Sequence, residues 1–120
     1  MVQLASDSLG PIFAYVTTGD GFYEDGSFLM HGRYPYNGGY GKSLLEDMAD
    51  LIDLLAGSPW AVRDPRRSNL YRWVFDAFEP LIFRGGMMDM VRGREISRNG
   101  SSDQAAGHSA AAGILLGFCA

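Results

Sequence analysis

The stretch from Lys42 to Ala56 constrains the fold more than any other part of the chain. Leu44, Leu45, Met48, Leu51, Ile52 and Leu55 recur at helical spacing and share one face, while Glu46, Asp47, Asp50 and Asp53 point away from it. Gly57, followed by Ser58-Pro59, is a stop signal, because glycine accepts the backbone twist of a helix end and proline cannot carry a helix on. An apolar stripe of this kind must be covered by other elements. Three further helical segments are available to do so. Leu4 to Val16 is a weak one, interrupted at Gly10-Pro11. Ser68 to Phe83 carries Leu70, Trp73, Val74, Ala77, Phe78 and Leu81 on one side, with Ser68 as its N-cap and Pro80 ending or kinking it. Asp103 to Phe118 is small and apolar on most of its surface.

Two Gly-rich loops separate these helices, Thr17 to Gly41 and Arg84 to Ser102. No stretch alternates apolar and polar residues for long enough to argue a sheet, so the expected class is all-α. At 120 residues the chain is one domain at most. Two of the four helices are apolar over most of their surface and have few partners within that length. The chain is therefore expected either to self-associate through exposed helix faces or to be a piece of something larger.

Charge excludes some functions. The net charge is −4, whereas phosphate binders need a basic surplus, so no nucleic-acid partner is expected. The distribution is uneven: seven acids lie between Asp20 and Asp53, and eight of the ten basic residues, all arginine, lie between Arg63 and Arg98. Arginine is the planar fork that suits carboxylates. The longest apolar run, Ala110 to Leu116, contains Gly113 and is too short to cross a bilayer, so no membrane role is expected. The opening residues read as no signal peptide, lacking a cationic start and an apolar run.

Several motifs fail on spacing. Asn37 to Ser43 looks like a phosphate loop, but Tyr36 stands where that loop needs glycine. Asp20, Glu24 and Asp25 lack the ligand alternation of a calcium loop, and His31, His108 and Cys119 lack zinc-site spacing. No metal or cofactor is expected. What remains is one loop, His31 to Gly41, holding a histidine and three tyrosines, and a second with Arg92, Arg94 and Arg98. If that second stretch is helical, Arg94 and Arg98 project from one side, and Glu95 pairs with at most one arginine. Such a set suits proton abstraction beside a carboxylate. Arginine offsets the acid's charge, Tyr or His takes the α-proton, and Tyr returns a proton to a leaving oxygen.

These residues also carry a resemblance. Asp20-Gly-Phe-Tyr-Glu-Asp-Gly-Ser-Phe-Leu-Met-His31, Tyr36-Asn-Gly-Gly-Tyr40-Gly, Leu55-Ala-Gly-Ser-Pro-Trp60 and Met87-Met-Asp-Met-Val-Arg-Gly-Arg-Glu-Ile-Ser-Arg98 resemble polysaccharide lyase family 8, over about residues 7–118. That family comprises the hyaluronate, chondroitin AC and xanthan lyases. The resemblance implies part of an incomplete α/α toroid of helical hairpins, with this chain as its central fragment, upstream helices and downstream β domains being absent. It implies β-elimination on uronate-containing polysaccharides, an anionic substrate and a secreted setting. His31, Tyr40 and Arg94 would be catalytic and Arg98 would hold substrate. Whether His31 or Tyr40 is the base stays open. The family's catalytic asparagine and its aromatic patch lie upstream of the matched stretch, so Asn37 is not assigned that role. The alternative is a catalytically incomplete or vestigial carbohydrate-binding helical module.

Overall fold

A computed structural model describes residues 2–97. Arg98, His108, Cys119 and the expected helix from Asp103 to Phe118 lie outside the described residues. The chain opens with α1 (Val2–Asp7) and then, at the expected Gly10-Pro11 interruption, tightens into a 3₁₀ turn over Gly10–Phe13. That turn drives Phe13 into the core, where it is fully buried.

The expected loop from Thr17 to Gly41 is a correction to the all-α reading. It contains a three-stranded antiparallel sheet: β1 (Gly21–Phe22), β2 (Phe28–Met30) and β3 (Tyr34–Pro35). Phe22 faces Phe28 across the first pair, and Met30 faces Tyr34 across the second. Strands of two or three residues are too short to display alternation, and so the sequence carries no period-two signal for them.

After a π-helical turn at Asn37–Gly41 the chain runs into α2 (Lys42–Leu55), which agrees with expectation to one residue. Gly57 ends it with φ +70°, and the Ser58 amide and hydroxyl both donate to the Leu55 carbonyl. Leu45 and Met48 are buried, Leu44, Ile52 and Leu55 are half-buried, and Leu51 and Leu54 are exposed among the described residues.

Residues 65–81 form one rod whose pitch changes along its length. It passes from 3₁₀ (Pro65–Ser68) to α3 (Asn69–Trp73), then a π turn (Val74–Phe78) and a closing 3₁₀ turn (Glu79–Leu81) at Pro80. The expected apolar side is the buried one: Leu70, Trp73, Ala77 and Phe78 are all under 3 % exposed. Trp73 stacks on Phe22 with ring centroids 4.1 Å apart, and Phe22 in turn meets Phe28 at 4.6 Å. This aromatic pile joins the small sheet to the rod and makes it the base on which the site is built. A second hairpin, β4 (Ile82–Phe83) and β5 (Gly86–Met87), follows the rod. Its two central residues, Arg84 and Gly85, both have positive φ, as a type I′ turn requires.

The cap lies one turn upstream of the expected Ser68. Asp64 accepts from the Arg66 amide at 2.8 Å and from the Arg66 guanidinium at 2.7 and 3.0 Å, whereas the Ser68 hydroxyl donates to the Pro65 carbonyl. Asp64 wins because the 3₁₀ turn begins at Pro65, so the first orphan amide is that of Arg66. The Arg66 side chain, then its amide, hold the Asp64 carboxyl below its ordinary range. A lowered carboxyl contributes stability above its unfolded-state pKa of about 3.9 and loses that contribution as pH falls through the lower folded value. Asp64→Asn keeps a capping oxygen but removes the charge. It should lower the melting temperature slightly near neutral pH and have no effect in strong acid, a difference that melts at several pH values will read.

Candidate functional site

His31 stands at the tip of the β2–β3 hairpin. The three-residue connection His31-Gly32-Arg33 needs two consecutive left-handed residues, and His31 takes φ +55° and Gly32 φ +81°. Glycine accepts this without strain, while histidine does so at a small cost that the surroundings must hold in place. Asp20 does part of that work, its Oδ1 accepting the Gly32 amide at 2.7 Å. The imidazole is thereby fixed at the rim and stays exposed.

Tyr40 arrives on the π turn four residues after Tyr36. The turn is tied down by Asn37, which is completely buried. Its Nδ2 donates to the carbonyls of Gly26 and Ala77 at 3.0 and 2.9 Å, and its Oδ1 accepts the Phe28 amide at 3.2 Å. One side chain therefore knots the β1–β2 turn, strand β2 and the rod. The Asn37 amide is thus engaged by backbone groups at both its oxygen and its nitrogen. Gly26 allows the knot, since a Cβ there would collide with the Asp76 carbonyl.

Arg94 reaches the same place from the far end of the chain. The stretch expected to be a bare loop after Arg84 holds 3₁₀ turns at Asp89–Val91 and Gly93–Ser97. Arg92 is buried, pairs with Asp89 at 2.7 Å and donates to the Glu95 carbonyl at 3.2 Å. It braces the turn from inside, its ionic partner being Asp89. Arg94 points outward, and its Nη2 donates to Tyr40 Oη at 3.1 Å. The His31 and Tyr40 rings meet edge to face with centroids 5.5 Å apart.

Three of the expected residues, His31, Tyr40 and Arg94, thus converge although 63 positions separate the first from the last. Arg98 lies outside the described residues. Beside them opens a cleft of about 580 Å³ lined by His31, Tyr36, Arg94 and the exposed side chains of Tyr34, Met90 and Ile96. Among the described residues no cluster of three His, Cys, Asp or Glu side chains is placed to hold a metal ion, and no helix is long and apolar enough to cross a membrane. Two residues of the site were not legible as such beforehand, Tyr36 beneath it and Asp20 behind the hairpin tip. Neither has a local signal, because both act through contacts distant in sequence.

The chemistry of this trio follows from donors and acceptors. Tyr40 Oη accepts from Arg94, so its own proton is free to point to a third group. His31 adds a second proton acceptor on the same side.

Comparison with known proteins decides the family. Residues 1–117 match the model of the polysaccharide lyase family 8 N-terminal alpha-helical domain. The chain belongs to polysaccharide lyase family 8. Among family 8 members, the xanthan lyase of Bacillus sp. (strain GL1) is 55% identical over 104 residues, covering 87% of this chain and 11% of that protein. The hyaluronate lyase of Thermasporomyces composti is 48% identical over 115 residues, covering 96% of this chain and 15% of that protein. Solved family 8 structures superpose closely. Paenibacillus xanthan lyase gives a TM-score of 0.87 at 51% identity, covering 94% of this chain and 11% of that one. Streptomyces coelicolor A3 chondroitin AC lyase in complex with chondroitin sulphate gives 0.87 at 40%, covering 93% of this chain and 17% of that one. The chain therefore spans between a tenth and a sixth of the length of these relatives.

Proposed function

We propose that this family 8 chain carries the proton-transfer residues of a lyase that cleaves uronate-containing polysaccharides of the hyaluronan, chondroitin or xanthan type by β-elimination. The observation that carries this reading is the 3.1 Å hydrogen bond from Arg94 to Tyr40 Oη, with the His31 ring at the edge of the Tyr40 ring. In the reaction the proton on C5, next to the uronate carboxylate, is removed by His31 or Tyr40. The electron pair forms the C4–C5 double bond as the bond from C4 to the glycosidic oxygen breaks, and Tyr40 gives the departing oxygen a proton. Arg94 steadies the charge on Tyr40 throughout, and Arg98 contributes to holding the anionic chain.

On this reading the helices belong to an incomplete α/α toroid, the chain being its central part. The neighbouring helices and β domains of the toroid's relatives would cover the exposed faces of Leu51, Leu54 and Phe75. The substrate is extracellular, and a secreted setting goes with it. A carbohydrate-binding module without turnover is the second reading, favoured by the cleft rimmed by Tyr34, Met90 and Ile96, an apolar surface on which a sugar ring can lie.

The test is ultraviolet absorbance of the purified chain with hyaluronan, chondroitin and xanthan in turn, since elimination leaves a conjugated unsaturated uronate. A rise with one of them names the substrate. Binding without a rise, from a chain whose circular dichroism is helical, favours the module over an enzyme active by itself, the upstream asparagine and the β domains then being required for turnover.

A further inference from the structure

Tyr36 sits between the two backbone segments that deliver Tyr40 and Arg94. It is 2 % exposed, and its hydroxyl has no hydrogen-bond partner among the described residues. A hydroxyl buried in this way costs stability, so the side chain is not explained by its oxygen. The ring explains it. A Cβ added to Gly39 would strike one edge of the Tyr36 ring, and a Cβ added to Gly93 would strike the opposite edge. Gly39 directly precedes Tyr40, and Gly93 directly precedes Arg94. The width of one aromatic ring therefore sets the spacing of the two backbones just before the residues that meet at 3.1 Å. The Tyr40 ring packs on the same ring with centroids 4.9 Å apart, and His31 approaches it at 6.4 Å. The three members of the candidate site share one buried support.

We propose that Tyr36 is a positioning residue whose ring, and not its hydroxyl, holds Arg94 in hydrogen-bonding range of Tyr40. Its consequence for turnover rests on the lyase reading above, whereas its geometric content does not. A leucine lacks the width to keep Gly39 and Gly93 apart, so the segments close up and Arg94 loses its aim. Phenylalanine keeps the width and sheds an unpaired hydroxyl.

The experiment compares Tyr36→Leu, Tyr36→Phe and Gly93→Ala in the full 120-residue chain. It reads two quantities: the Tyr40 Oη to Arg94 Nη2 separation by crystallography, and kcat and KM on whichever polysaccharide the unaltered chain degrades. Tyr36→Leu should lose the contact and about a hundredfold in kcat, with KM changed only a few-fold, because misplacement by an ångström has that effect on a reacting group. Tyr36→Phe should recover the contact, and kcat to within a few-fold. Should circular dichroism show that the leucine variant does not fold, Gly93→Ala decides the matter. It alters no core side chain, yet its Cβ, at a position with φ +53°, pushes the Tyr36 ring, and the contact should break. The proposal is overturned if the contact survives in the leucine variant or, where that does not fold, in Gly93→Ala, or if phenylalanine loses as much as leucine. An unaltered chain without turnover shows that the chain by itself is not an active lyase and leaves the separations to judge the spacer.

Discussion

Tyr40→Phe is expected to lower the rate of unsaturated-uronate formation by about 10²–10⁴-fold, the usual worth of a positioned general acid or base, while the melting temperature moves by no more than about 4–8 °C. Tyr40 is half-buried and its ring packs against Tyr36, contacts that phenylalanine keeps. The hydroxyl makes a bond to the exposed Arg94, and a bond of that kind adds about 1 kcal/mol or less to stability. On the proposed lyase reading the same oxygen is irreplaceable, because phenylalanine can neither take the C5 proton nor give one to the departing oxygen. Arg94→Ala tests the other half of the pair. It leaves the Tyr40 proton in place but removes the charge that steadies the oxygen, so the loss should be smaller, nearer the 10²-fold observed when one stabilising donor is removed. The two losses should also fail to add, since each acts on one oxygen. Equal turnover by the Tyr40→Phe chain and its parent would take proton transfer away from Tyr40 altogether.

The helices were legible where a period of 3.6 residues had room to repeat. The apolar face of α2 and the buried side of the rod, Leu70, Trp73, Ala77 and Phe78, both follow from spacing. The changes of pitch within the rod were not legible, since 3₁₀, α and π turns bury the same face and differ only in which carbonyl each amide meets. The sheets were missed for a related reason. β1 and β3 have two residues each, and what holds them is the Phe22–Trp73 stack and the Asn37 bonds, contacts made across the chain. The site was half legible. Tyr, His and Arg in Gly-rich loops suggest proton abstraction by residue type alone, but choosing Tyr40 and Arg94 among three tyrosines and three arginines required the family resemblance. The neighbours then separate by position: Arg92 turns inward to brace, and Tyr36 turns inward to support, while Arg94 and Tyr40 meet at the rim. Nothing in the spacing of the residues tells an inward arginine from an outward one.

Asn37→Ala should be the most damaging single change to stability. Removing the amide leaves the Phe28 amide and the Gly26 and Ala77 carbonyls without the partner that satisfies them in a fully buried place. Each orphaned group costs about 1–3 kcal/mol, and because relaxation relieves part of the sum, a total of roughly 3–5 kcal/mol is expected. Domains of this size have about 5–15 kcal/mol in all and shift by about 4–8 °C per kcal/mol. The melting temperature should therefore fall by roughly 12–40 °C. Asn37→Asp sharpens the test. An aspartate keeps the shape and the acceptor for Phe28 but turns the group facing Gly26 and Ala77 from a donor of two hydrogen bonds into a negative charge against two carbonyl oxygens. Near neutral pH it should be at least as damaging as alanine. In acid, a protonated carboxyl can donate again to one of the carbonyls, so the aspartate chain should regain stability relative to the alanine chain as pH falls. A melting temperature for Asn37→Ala within a few degrees of the parent would mean that water entering the vacated space meets the three groups equally well, and the knot would lose its place as the link between the His31 hairpin, the Tyr40 turn and the rod beneath them.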